Sequence, residues 1–129
     1  MKFLLNAISM TRKRPPHFDI ESMYLARDSL NSFAERVGLF GGQKFESISV
    51  IIGYGLVDTT RDPEIGRVLK KYKELPVTIE LDIREVCKLD RESLALRFEV
   101  AILESLVRVA EKYKVGTEEI KDRLAELEG

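Results

Sequence analysis

The sequence predicts an α+β fold, a small mixed or antiparallel sheet of about three strands covered on one face by two long helices and shorter ones. Three observations carry that expectation. Val77 to Ile83 (VTIELDI) alternates apolar Val77, Ile79, Leu81 and Ile83 with polar Thr78, Glu80 and Asp82. This is the pattern of a strand with one buried and one wet face, which favours a mixed or antiparallel sheet over a parallel one covered on both sides. Phe45 to Asp58 (FESISVIIGYGLVD) holds the longest β-branched run, with Ile48, Val50, Ile51 and Ile52 uninterrupted before Gly53. Two long stretches, Ile20–Val37 and Arg91–Tyr113, repeat apolar residues at helical spacing.

Each element can be justified from local chemistry. Phe3 to Met10 is short, and its spacing suits either helix or strand; a strand is the expectation. Lys2 and the apolar residues after it resemble the start of a secretory leader, but Asn6 interrupts the run and no small-residue cleavage site follows. Pro15 and Pro16 make Arg12 to Phe18 a connector, and its Arg12-Lys13-Arg14 triplet reads as a solvated loop. Asp19 offers an N-cap oxygen to a helix starting at Ile20, whose apolar stripe would include Ile20, Met23, Tyr24, Leu30, Phe33, Ala34 and Val37, with Arg27 and Asn31 on the opposite side. Gly38 would close it in the left-handed conformation.

The even residues Ile48, Val50, Ile52 and Tyr54 share one face of the central strand, which ends in a turn at Gly53-Tyr54-Gly55. Asp62-Pro63-Glu64 opens a predicted helix, with an irregular or extended segment as the competitor, and Pro76 stops what precedes it. Asp90 caps the last long helix, whose apolar residues reach nearly all round. Such a helix is either buried on several sides or meets a second copy, so a homodimer is open. Gly116 would end it, and Thr117 would cap a short acidic helix anchored by Ile120, Leu124 and Leu127.

Composition excludes several function classes. The chain of 129 residues is read as one domain, 1–129, with 21 Lys plus Arg against 22 Asp plus Glu, a net charge of −1. A nucleic-acid binder carries a clear basic excess, so no nucleic-acid partner is expected. No stretch approaches the ~20 apolar residues of a membrane span, so no membrane partner is expected either. One cysteine, Cys87, forbids an internal disulfide and points to a reducing, cytoplasmic setting. Its simplest reading is a small half-buried residue. His17 is the single histidine and sits between prolines and Phe18, with no nucleophile elbow nearby. No cofactor or metal is expected: Gly53-Tyr54-Gly55 lacks the third glycine of a dinucleotide site, and there is no Cys or His pair.

Acidic groups do cluster. Glu80 and Asp82 share the wet face of the VTIELDI strand, and Asp58, Asp62 and Glu64 lie in the segment after the central strand. Carboxylate pairs can perform acid–base chemistry when a cleft splits their pKa values. A protein-binding surface needs only exposure, and plain solubilising charge needs less still.

The segments ARDSLNSFAERVGLFGG, FESISVIIGYGLVD, PEIGRVLKKYKELPVTIELD and SLVRVAEKYKV together resemble the bacterial immunity protein 39 family, over Arg14 to Val115. Its members are small single-domain proteins encoded in polymorphic-toxin loci. The resemblance implies an antitoxin that binds a cognate toxin domain without catalysis, and it brings no active-site residues. Immunity proteins against nucleases are often markedly acidic, and this chain departs from that. On this reading the expected partner-binding residues are Asp58, Asp62, Glu64, Arg67, Glu80 and Asp82. The competing readings are a small enzyme using Asp58 or Glu80, and a structural homo-oligomer.

Overall fold

A computed structural model describes residues 1–9, 19–41, 45–55, 74–82 and 86–129. The described elements run β1 (Lys2–Ser9), α1 (Ile20–Val37), β2 (Ser47–Gly55), β3 (Glu74–Asp82), α2 (Arg91–Lys112) and α3 (Glu118–Glu128). The strands form one sheet in the order β1-β2-β3, with β2 at the centre.

Both strand pairs are parallel, which corrects the expected mixed or antiparallel sheet. The α+β class and the three strands stand; the direction does not. Alternation in β3 was the wrong guide, because an edge strand has one face less covered in either kind of sheet. The better signals were the strand–helix–strand order around α1, the crossover a parallel pair requires, and the burial of β2 on both sides. Ile48, Val50 and Ile52 are fully buried on one side, and Ser49, Ile51 and Gly53 are buried on the other.

β1 occupies the stretch whose spacing suited helix or strand. β2 extends through Gly55, so Gly53-Tyr54-Gly55 belongs to the strand and is not a turn. β3 starts at Glu74, and Pro76 lies inside it opposite Ser49 instead of stopping the preceding segment. Among the described residues β3 is an edge strand, where a residue without an N–H is tolerated. The predicted helix opening at Pro63, the basic triplet at 12–14, His17 and Ile83 lie outside the described residues.

α1 begins as expected. The Asp19 carboxylate accepts the Glu21 N–H at 3.0 Å, and Gly38 closes the helix at φ 61°. No atom lies within 4 Å of a Cβ built on Gly38, so glycine is needed there for its backbone angle alone. Asp90 caps α2 through the Ser93 N–H at 2.8 Å. The end of α2 differs from expectation. Lys114, not Gly116, takes the left-handed angle, at φ 58°. The Val115 N–H then reaches back to the Ala110 carbonyl and the Lys114 N–H to Glu111, the six-to-one and five-to-two closure of a Schellman stop. Val115 packs on the core, which offsets the strain of a side chain in that region.

The core joins Phe3, Ile48, Val50, Ile52, Leu75, Val77, Ile79 and Leu81 of the sheet to Leu30 and Phe33 of α1, Phe98, Ile102 and Leu106 of α2, and Ile120 of α3. Leu124 and Leu127 of α3 pack against it, as expected of anchors. Successive strand residues point to opposite faces, so the three described helices share one face of the sheet. α2 has β3, α1 and α3 as neighbours, while its Leu96 stays exposed. No described helix is long and apolar enough to cross a membrane.

Candidate partner-binding surface

Glu80 and Asp82 lie two residues apart on β3, so both project from the face opposite the helices. They are half-buried, while Thr78 before them is exposed. The register sets Glu80 beside Gly53 and Asp82 beside Gly55. The central strand therefore puts no side chain beside either residue in the ladder. Glu80 and Asp82 each interact with a neighbouring group. The signal for this pairing is present in the sequence as two i, i+2 pairs, Gly53/Gly55 and Glu80/Asp82, but only the register shows that they coincide. Asp58, Asp62, Glu64 and Arg67 lie outside the described residues.

Cys87 is exposed, in the turn that follows the buried Val86. This corrects the half-buried reading: the strand ends at Asp82, and Val86 takes the apolar position instead. Among the described residues no group of three or more His, Cys, Asp or Glu is placed to hold a metal ion.

The helix layer carries two polar ties that join elements distant in sequence. At its open end the Arg91 Nε donates to Asp19 Oδ2 at 2.6 Å, linking the N-termini of α1 and α2. Toward its middle the Ser29 hydroxyl donates to Glu99 Oε1 at 2.8 Å, and Arg123 Nη2 approaches the same oxygen at 3.3 Å. The Glu99 side chain is 7% exposed and that of Arg123 20%. Arg123 continues to Glu126 at 3.0 Å. A buried carboxylate is held only with such partners, so α1, α2 and α3 meet at one charged node.

A third feature was misassigned by periodicity. Ile20 and Tyr24, expected in the buried stripe of α1, are 42% and 41% exposed. Each residue advances about 100° around a helix, and the buried arc is centred on Ala26 and Leu30, which leaves Ile20 about 100° and Tyr24 about 140° from that centre. There they form a row with Arg27 and Asn31. The Arg27 guanidinium lies 4.9 Å from the Tyr24 ring centroid and pairs with Asp28 at 3.2 Å. Asn31 Oδ1 accepts the Phe3 N–H at 2.7 Å, so this row runs beside β1.

Residues 3–126 match the model of the family described as Immunity protein 39. No curated protein and no solved structure matches the chain.

Proposed function

The chain belongs to the immunity protein 39 family, and on that premise we propose that it binds and neutralises a cognate bacterial toxin domain by direct protein–protein contact, with no catalytic step of its own. The observation that carries this reading is the family match across nearly the whole chain. The acidic pair Glu80 and Asp82 supports it chemically. Carboxylates that a partner can reach attract a basic surface and raise its association rate. In this reading Glu80 and Asp82 contact the toxin together with Asp58, Asp62, Glu64 and Arg67 from the segment between β2 and β3. The protein acts in the cytoplasm of the producing cell, with neither nucleic acid nor membrane as partner. A homodimer is compatible with this role, and light scattering at two concentrations reads it.

The test uses the toxin domain encoded beside this chain's gene. Mixing the two should give a stable complex and abolish the toxin's activity. Charge reversal at both Glu80 and Asp82 should slow association and make it less sensitive to salt. Absence of any complex would reject the reading. An unchanged association rate in the double variant would remove Glu80 and Asp82 from the contact.

A further inference from the structure

The two outer strands of the sheet differ in how they treat a visiting strand. β3 carries Pro76, Glu74, Glu80 and Asp82, the residues by which edge strands repel pairing. β1 (KFLLNAIS) has no proline and a single charge, Lys2. Among the described residues no strand pairs with the outer side of β1.

Backbone direction defines what that side offers. The Phe3 N–H turns away from β2 to reach Asn31. In a strand the N–H and C=O of one residue point to the same side, and alternate residues share a side. Leu5 and Ala7 therefore aim their N–H and C=O groups outward with Phe3, while Leu4 and Asn6 face β2. The row on α1 follows the same line. Ser29 contacts α2, and Asn31 lies on the other flank, with Arg27, Tyr24 and Ile20 at helical spacing before it. α1 links two parallel strands, so it runs opposite to β1. One helical step from Asn31 to Arg27 advances about 6 Å, and two strand residues advance about 6.6 Å. Arg27 thus stands abreast of Leu5, and Tyr24, three residues and about 4.5 Å further on, between Leu5 and Ala7.

We propose that a β-strand of the toxin domain adds to the outer side of β1, bonding to Leu5 and Ala7 and laying its helix-facing side chains against Tyr24, Arg27 and Ile20. Main-chain bonds supply the affinity in such strand addition, and the side-chain row supplies the choice of partner. An exposed Tyr stacked with Arg beside an exposed Ile is a composition enriched among interface hot spots. The incoming strand carries apolar residues for Ile20 and the Tyr24 ring and an acidic residue for Arg27. A second copy of this chain fits less well. Two β1 strands paired about Leu5 would set one Arg27 against the other, and Phe3, its N–H held by Asn31, could not complete its pair with Ala7.

This inference rests on the toxin-binding reading and is tested on the full chain with the neighbouring toxin domain as probe. Amide hydrogen exchange at Leu5 and Ala7 should slow at least tenfold in the complex, while Leu4 and Asn6 stay unchanged. Tyr24→Ala and Arg27→Glu, both at exposed positions, should each weaken binding about tenfold or more with the fold intact. If a complex forms but Leu5 and Ala7 exchange as in the free protein, the edge is not the site and the toxin-binding reading survives. If protection at Leu5 and Ala7 grows with concentration of the chain alone, a second copy occupies the edge and the proposal falls. If no complex forms, both fall together.

Discussion

The two faces of the sheet are made from alternate residues of the same three strands, yet they are built on different rules. The helix-covered face is Phe3, Ile48, Val50, Ile52, Leu75, Val77, Ile79 and Leu81, all nearly or wholly buried. The opposite face is mixed: Leu4 and Thr78 are exposed, Glu80 and Asp82 half-buried, and Ser49 and Ile51 buried at the centre. Burial of apolar area stabilises by about 25 cal/mol per Å², so the first face carries the stability. The second mixes polar and apolar groups. Neighbouring residues on one strand can therefore have unrelated roles.

The largest expected effect is a direct test of that separation. Ile79 and Thr78 adjoin on β3 but face opposite ways. Ile79→Ala should destabilise by about 2–5 kcal/mol, since it removes buried methyl groups and leaves a cavity. Thr78→Ala should stay within roughly 0.5 kcal/mol, as surface changes do. Urea unfolding of both variants checks this, and comparable losses would mean that Thr78 also belongs to the core.

Next in size is the node that binds the helix layer. Glu99→Ala removes the buried partner of the Arg123 guanidinium and leaves Ser29 without its acceptor. The loss should be about 1–3 kcal/mol, moderated because Arg123 retains some solvent and its Glu126 contact. The damage should be local. α3 has one fully buried residue, Ile120, and no side-chain cap at Thr117, so its amides should exchange faster while those of β2 do not. Uniform acceleration across the sheet would show that α3 is integral to the global core.

How much of this was legible depended on the range of the interaction. Asp19, Asp90 and Gly38 were read correctly because caps are decided within a few residues. The buried positions of β2 and β3 followed from alternation. Strand direction did not, because alternation reports coverage of a face and is silent on direction. The Glu99–Arg123–Ser29 node and the Glu80–Gly53 register join residues far apart in sequence, where no local rule applies. The end of α2 shows a subtler failure. A glycine two positions too late drew attention from Lys114, whose strained angle is held by Val115.

The two helix stops give a smaller and signed pair of effects. Gly38→Ala should cost about 1 kcal/mol, because the space is open but the backbone angle is unfavourable to a side chain. Lys114→Gly should stabilise by up to about 1 kcal/mol by relieving the same strain. Thermal unfolding of the two variants should move in opposite directions. Shifts of the same sign would show that Lys114 contributes contacts that outweigh its backbone angle.

The smallest effect separates the faces by acid. The Arg91 guanidinium, donating to Asp19, holds that carboxyl below its usual range, with help from the Glu21 N–H. Asp90 is lowered by the Ser93 N–H and hydroxyl. A carboxyl whose pKa is lower in the folded state binds its proton more readily when unfolded. Its stabilisation is therefore complete above the unfolded value near 4 and is lost as pH falls through the folded one. Both groups are at the surface, where ion pairs contribute little, so the melting temperature should decline gently below roughly pH 4. Asn caps a helix about as well as Asp but does not titrate. Combining Asp19→Asn with Asp90→Asn should therefore flatten that part of the profile while leaving both caps in place. A double variant with the parent's full acid slope would move the acid sensitivity away from the helix ends, and other carboxylates would then be the groups to replace.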